Sequence, residues 1–164
     1  MKLLIQKNFL YLNDLKLPCA IGKNGVSKNK IEGDGCTPFG EYKFKEIYYR
    51  ADKLRGFNLI NNLIAISPND GWCDDPKSEF YNQFISFPFT QSAEKLYRDD
   101  DIYDIVCVID YNINPTQPGK GSAIFLHVAH DDYRGTEGCI ALSKNDLLEI
   151  VPQIKKDTII DIKC

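Results

Sequence analysis

The sequence predicts a mainly β domain, folded as a sandwich or distorted barrel with two short helices, and three observations carry this. Short apolar runs of strand length recur along the chain, each bounded by turn residues. One of them, Tyr103-Asp-Ile-Val-Cys-Val-Ile-Asp-Tyr111, is nearly continuous and β-branched in its middle, the pattern of a strand buried on both faces. The 9 Tyr and 9 Phe suit pleated surfaces. At 164 residues, with no repeat, linker or low-complexity tract, the chain reads as one domain over 1–164. That is enough to bury a core without disulfides or metals.

Taken in order, residues 2–6 and 9–12 are two strands of a hairpin turning at Lys7-Asn8. Residues 15–21 are a third strand, which Pro18 confines to an edge or a bend because proline cannot donate to a ladder. Gly22, Gly25, Gly33 and Gly35 among Lys, Asn and Asp make 22–36 a loop that fits neither phosphate-binding fingerprint. From Thr37 to Arg50 a turn passes into an alternating strand. Tyr42, Phe44 and Tyr48 share one face there, and Lys43 and Lys45 the other.

Residues 58–66 are a further apolar run, closed by the turn Ser67-Pro-Asn-Asp-Gly71. An aromatic-rich segment spans 80–89. Residues 90–101 read as a short helix capped by Thr90 or Ser92, with Glu94 in its first turn. Residues 103–111 and 122–129 are buried strands flanking the loop 112–121. Ser143-Lys-Asn-Asp146 matches a capping box in its Asp form, opening a helix to about Val151 that Pro152 closes. Residues 158–162 are the last strand.

A formal net charge of -3 offers no basic field for nucleic acid or anionic lipid, so no nucleic-acid partner is expected. No run approaches the roughly 20 apolar residues of a spanning helix. Met1-Lys-Leu-Leu-Ile-Gln-Lys-Asn lacks the apolar stretch of about 7–15 residues of a secretory signal. The chain as given reads as soluble and without an export address, which leaves a cytoplasmic location open. The cysteines at 19, 36, 73, 107, 139 and 164 form no C-x-x-C pair, so zinc ribbons and redox motifs are unsupported. Cys19 and Cys107 lie in apolar runs as small hydrophobes. Cys73 and Cys139 have polar, glycine-bearing surroundings.

The candidate chemistry concentrates in residues 122–143, which hold both histidines and Cys139. Strand alternation puts Phe125, His127 and Ala129 on one face, and Ile124, Leu126 and Val128 on the other. His127 is either a core residue satisfied by hydrogen bonds or a base for Cys139, twelve residues on. A free thiol has a pKa near 8.5, so a neighbouring imidazole would have to take its proton or stabilise the thiolate. Gly138 lets backbone approach closely, so amides near it could hold an oxyanion.

His130, beside Asp131 and Asp132, is the competing base. A zinc site from His127, His130, Cys139 and Cys73 matches no standard spacing, and no metal or cofactor is expected. Trp72-Cys-Asp-Asp-Pro76 is either a loop pinned by a buried indole or a cleft wall. As a wall, Trp72, Asp74 and Asp75 would meet a polar, amine-bearing substrate. Tyr81, Ser122, Tyr133, Arg134 and Glu137 complete the candidate substrate-binding set.

Three stretches resemble the L,D-transpeptidase (YkuD-like) catalytic domain family. Gly33-Asp-Gly-Cys-Thr-Pro-Phe-Gly-Glu-Tyr42 is similar to its Thr-Pro-x-Gly turn, and 122–129 to its histidine strand. Thr136-Glu-Gly-Cys-Ile140 is similar to its Ser/Thr-His-Gly-Cys signature, with Glu137 standing where His is usual. Gly-Trp-Cys-Asp-Asp-Pro at 71–76 and Gly-Ser-Ala-Ile-Phe-Leu-His at 121–127 resemble a short, signal-less subgroup.

The resemblance implies a YkuD-like β-sandwich with Cys139 as nucleophile, His127 as base, and Thr136 and Gly138 as support for the oxyanion. Its substrates would be peptidoglycan stem peptides, donor and acceptor, with carbapenem β-lactams as acylating inhibitors. Cys139 would attack a diamino-acid carbonyl, release the terminal D-residue, and pass the acyl group to an amine or to water. The family's substrate implies a periplasmic or cell-wall location.

Overall fold

The computed structural model describes residues 1–57 and 62–164. Among these, fourteen strands and one α-helix are arranged as a large sheet, two small ones and a helix closing one side. β1 (Lys2–Gln6), β2 (Phe9–Leu12) and β3 (Leu15–Pro18) form a meander through two-residue turns. Lys7 and Asn13 take φ of 54° and 51° there, the left-handed geometry that matches hairpin twist. β3 is an end strand, as Pro18 requires, and it stops at Pro18 short of the expected Ile21.

β4 (Val26–Ser27) and β5 (Thr37–Pro38) pair inside the glycine-bearing loop. β6 (Gly40–Tyr49) follows, then β7 (Leu63–Ala65), β8 (Asp70–Cys73), β9 (Phe84–Ser86) and β10 (Ala93–Lys95). β11 (Ile105–Ile109), β12 (Phe125–Val128), β13 (Ile140–Leu142), α1 (Lys144–Ile150) and β14 (Ile159–Lys163) complete the chain.

The large sheet runs β13-β12-β11-β6-β14-β1-β2-β3, with β7 added beside β6. Two residues beyond β3, Ala20 bridges Ala141 of β13, so the two ends of the sheet nearly meet and the barrel almost closes. The inside is filled by Leu3, Ile5, Leu10, Ile105, Cys107, Leu126, Ile140 and Ile160, with Leu147 and Ile150 of α1. The capping box holds: Ser143 Oγ accepts from Asp146 N–H at 3.1 Å and donates to Asp146 Oδ2 at 2.6 Å.

A second core lies on the outer face of β6, β11 and β12, under the small sheet β10-β8-β9. Trp72 and Tyr103 pack edge-on against Phe125 there, at centroid distances of 5.3 and 5.9 Å. β11 is thus buried on both faces, Cys107 in one core and Val106 and Val108 in the other.

Two expectations are corrected. A bulge where β6 meets β11 shifts the register between Ile109↔Phe44 and Cys107↔Ile47. One extra residue reverses the alternation. Tyr42 and Phe44 therefore face the barrel core, but Tyr48 faces the second core.

The helix expected over 90–101 does not form, so α1, followed by the 3-10 turn Val151–Gln153, is the one α-helix among the described residues. Residues 93–95 instead pair with β8 as β10, Glu94 opposite Trp72. Ala93, Leu96 and Tyr97 do fall at helical spacing, but the ladder to β8 and the burial of Leu96 in the second core override that local pattern. The expected run at 58–66 is described only from residue 62, where Leu63–Ala65 is strand; 58–61 lie outside the described residues.

Candidate active site

β12 and β13 run parallel, with His127 opposite Ala141. Cys139 lies two residues earlier, and its Sγ accepts the Phe125 N–H at 3.4 Å. Cys139 and His127 therefore face the same side of neighbouring strands, offset along the strand direction by one two-residue backbone step of about 7 Å. Both line a cleft of about 670 Å³ between the large sheet, the 20–37 loop and the small sheet. Ala123, at φ 51°, turns its carbonyl to accept from the Cys139 thiol at 3.1 Å.

His127 Nδ1 lies 2.8 Å from the Val128 carbonyl. A carbonyl can only accept, so Nδ1 carries the proton and Nε2 keeps its lone pair. Burial pushes the imidazole down to about 4. Burial, and then the charge of Glu94, push the Cys139 thiol up to about 12, against the Phe125 amide and Lys30. At neutral pH the proton thus rests on sulfur and the imidazole is an empty base.

The loop carrying the thiol is clamped by the glycine-bearing loop. Lys23 N–H donates to Thr136 O at 2.8 Å, Thr136 N–H to Ile21 O at 2.9 Å, and Gly22 N–H to Thr37 Oγ1 at 2.8 Å. Thr136 Oγ1 accepts the Gly138 N–H at 3.1 Å and donates to the Cys139 carbonyl at 2.6 Å. Gly138 has its amide engaged, and among the described residues the Cys139 N–H has no protein acceptor.

Gly138 sits at φ 141°, and a Cβ there would lie 2.8 Å from the Cys36 carbonyl oxygen. Gly138→Ala is therefore expected to cost about 1–3 kcal/mol from backbone strain alone. Urea unfolding would show a lowered midpoint with an unchanged slope.

The other expected site residues divide. Asp74, Ser122, Arg134, Thr136 and Glu137 line the cleft, Glu137 at its exposed mouth with Lys23 at 2.6 Å. His130 also lines it, its ring nitrogens 3.0 and 3.1 Å from Arg134 Nη2. Trp72 is buried under the wall, its indole donating to Asn82 Oδ1 at 3.0 Å. Asp75 turns away to accept the Lys77 N–H at 2.9 Å. Tyr133 lines a separate hollow beside Asn8 and Lys23. Tyr81 is buried, and its phenol donates to Glu32. Ser122 Oγ donates to the same carboxylate at 2.7 Å, so these two residues hold Glu32 at the cleft.

Glu32, Glu94, Arg98 and Tyr103 line the cleft without having been singled out in the sequence. A helical reading of 90–101 hid Glu94, and Tyr103 read only as the start of a buried strand. Among the described residues no group of three or more His, Cys, Asp or Glu side chains could hold a metal ion, and no helix is long and apolar enough to cross a membrane.

The family model of the L,D-transpeptidase catalytic domain (YkuD) matches residues 6–162. No curated protein matches the chain. A solved structure, the helical cell shape determining protein Pgp2 from Campylobacter jejuni, superposes with a TM-score of 0.52 at 16% identity. The superposition covers 99% of this chain and 46% of that one, so the chain spans about half of that protein's length, and the likeness is one of fold.

Proposed function

Since the chain belongs to the L,D-transpeptidase catalytic domain family, we propose that it is a cysteine acyltransferase of peptidoglycan stem peptides, with residues 1–164 as one catalytic domain. What supports this most is the shared cleft. A neutral thiol and a neutral imidazole line it from one face of adjacent strands, and the Val128 carbonyl favours the tautomer with Nε2 free, which supports this reading.

In the proposed reaction His127 Nε2 takes the proton of Cys139 as sulfur attacks the stem-peptide carbonyl. The Cys139 N–H holds the oxyanion, while Thr136 and Gly138 shape the turn that presents it. The C–N bond then breaks, the imidazolium protonates the departing D-residue, and the acyl group remains as a thioester on Cys139. A second stem's amine, or water, opens the thioester and returns the proton to sulfur. Transfer to water, an L,D-carboxypeptidase or amidase outcome, uses the same base.

The family's substrate puts the protein's work in the periplasm or cell wall. Asp74, Ser122, Arg134 and Glu137 are the proposed substrate contacts.

The test is incubation with defined tetrapeptide muropeptides, with cross-linked dimers and trimmed tripeptides resolved by mass. The protein is expected to form one or both, and Cys139→Ala neither. A carbapenem is expected to add its mass to Cys139 alone. Identical behaviour of wild type and Cys139→Ala would leave a non-catalytic wall-peptide-binding module instead.

A further inference from the structure

Resting on that acyl-transfer reading, we infer that Glu94 selects an amine as the acyl acceptor: its carboxylate receives the incoming ammonium and takes one of its protons. Glu94 lines the same cleft as Cys139 and His127. Its Oε2 accepts from the Tyr103 hydroxyl at 2.6 Å. The Tyr103 ring in turn packs edge-on against the His127 imidazole, with centroids 5.4 Å apart at 78°. One phenol therefore fixes the carboxylate and abuts the base.

The contrast with the buried carboxylates Asp104 and Asp161 carries the argument, Glu94 itself being half-buried in the cleft wall. Asp104 is fully buried and has two lysines, Lys53 at 3.0 Å and Lys144 at 2.6 Å. Asp161 likewise has Lys2 and Lys163, each at 2.8 Å. Among the described residues no cation lies within 4 Å of the Glu94 carboxylate, Arg98 acting on it only from farther off, and the Tyr103 hydroxyl is its side-chain donor. A partly desolvated carboxylate that no cation touches directly gains from an incoming one.

Its surroundings also favour a cation. Burial raises the Glu94 pKa; the Tyr103 bond opposes this, the charges of Asp74 and Glu32 add to it, and Arg98 counteracts it. The raised basicity makes it a better proton acceptor than an exposed carboxylate.

Chemistry requires such a group. An alkylamine is an ammonium at neutral pH and cannot attack a carbonyl until it loses a proton. Forming the amide removes two protons from that nitrogen. Glu94 takes the first, before attack. His127 takes the second from the tetrahedral intermediate and delivers it to sulfur as the C–S bond breaks. Thioester, ammonium and carboxylate thus become amide, thiol and carboxylic acid, with charge conserved.

The experiment uses the full chain, a tetrapeptide muropeptide as donor and methylamine as the acceptor probe, followed by intact-protein and product mass. Glu94→Gln is expected to slow methylamide formation by about 10- to 100-fold, within the range of a lost general base. The thioester should accumulate, and Cys139 should be alkylated faster at fixed pH because a negative charge near sulfur is gone. Tyr103→Phe should change the same quantities in the same direction by less, and Glu94→Asp should recover part of the methylamide.

Methylamide formation at the wild-type rate in Glu94→Gln overturns the inference. So does slower thioester formation with an unchanged amide-to-acid ratio, which would make Glu94 a donor contact or a structural residue. A wild-type thioester released only to water overturns it while leaving the acyltransferase reading intact. No thioester in the wild type sinks that reading itself.

Discussion

Replacing His127 by alanine is expected to slow acylation of Cys139 by about 10²–10⁴-fold, the range a positioned general base contributes. The reason is the state of the pair at rest. With the imidazole down to about 4 and the thiol up to about 12, no thiolate–imidazolium pair is preformed. The base must act during attack. Two pH profiles check this. For the free protein kcat/KM should hold down to low pH and fall only as pH drops through about 4, where His127 becomes protonated. Alkylation of Cys139 by iodoacetamide should rise about tenfold per pH unit across the neutral range, since only the small thiolate fraction reacts. A preformed ion pair would instead give a plateau below pH 7, and that result would overturn the general-base account.

Asn82→Ala is expected to give the largest loss of stability, about 3–5 kcal/mol. Asn82 is buried, at φ 57°, a left-handed geometry that asparagine tolerates. Its Oδ1 accepts from the Trp72 indole and the Ala123 N–H, each at 3.0 Å. Its amide donates to the Tyr111 and Asn112 carbonyls at 3.0 and 2.7 Å. Truncation leaves these buried groups without partners, at about 1–3 kcal/mol for each that water cannot reach.

Ala123 also presents the carbonyl that accepts the Cys139 thiol, so the change should reach the chemistry. A melting temperature lowered by roughly 6–20 °C, together with altered Cys139 alkylation, is the expected pair of results. A stable variant with normal alkylation would show that the hub is dispensable.

The alternation along 122–129 was legible because period-two patterning needs no partner. Ile124, Leu126 and Val128 do face the barrel core, and Phe125 faces the second core. The capping box at Ser143 and the edge position of Pro18 were legible for the same reason: each depends on local backbone chemistry. The helix reading of 90–101 failed because nothing local distinguishes a three-residue strand paired only through β8. Tyr48 was misplaced because one bulge, invisible in the pattern, reverses every later side chain on β6.

Within the candidate site the sequence by itself determined the types and order of the groups: an imidazole on a buried strand, then a glycine and a thiol after a polar loop. It also determined that the family is the L,D-transpeptidase catalytic domain, since the motifs span the chain. Only the tertiary structure decided how those groups are poised. Parallel pairing of β12 and β13 sets the register of imidazole and thiol, the Val128 carbonyl sets the tautomer, and burial sets both protonation states. It also brought Glu94, Tyr103 and Glu32 to the cleft from distant segments, because which charges share a desolvated space depends on packing and not on spacing along the chain.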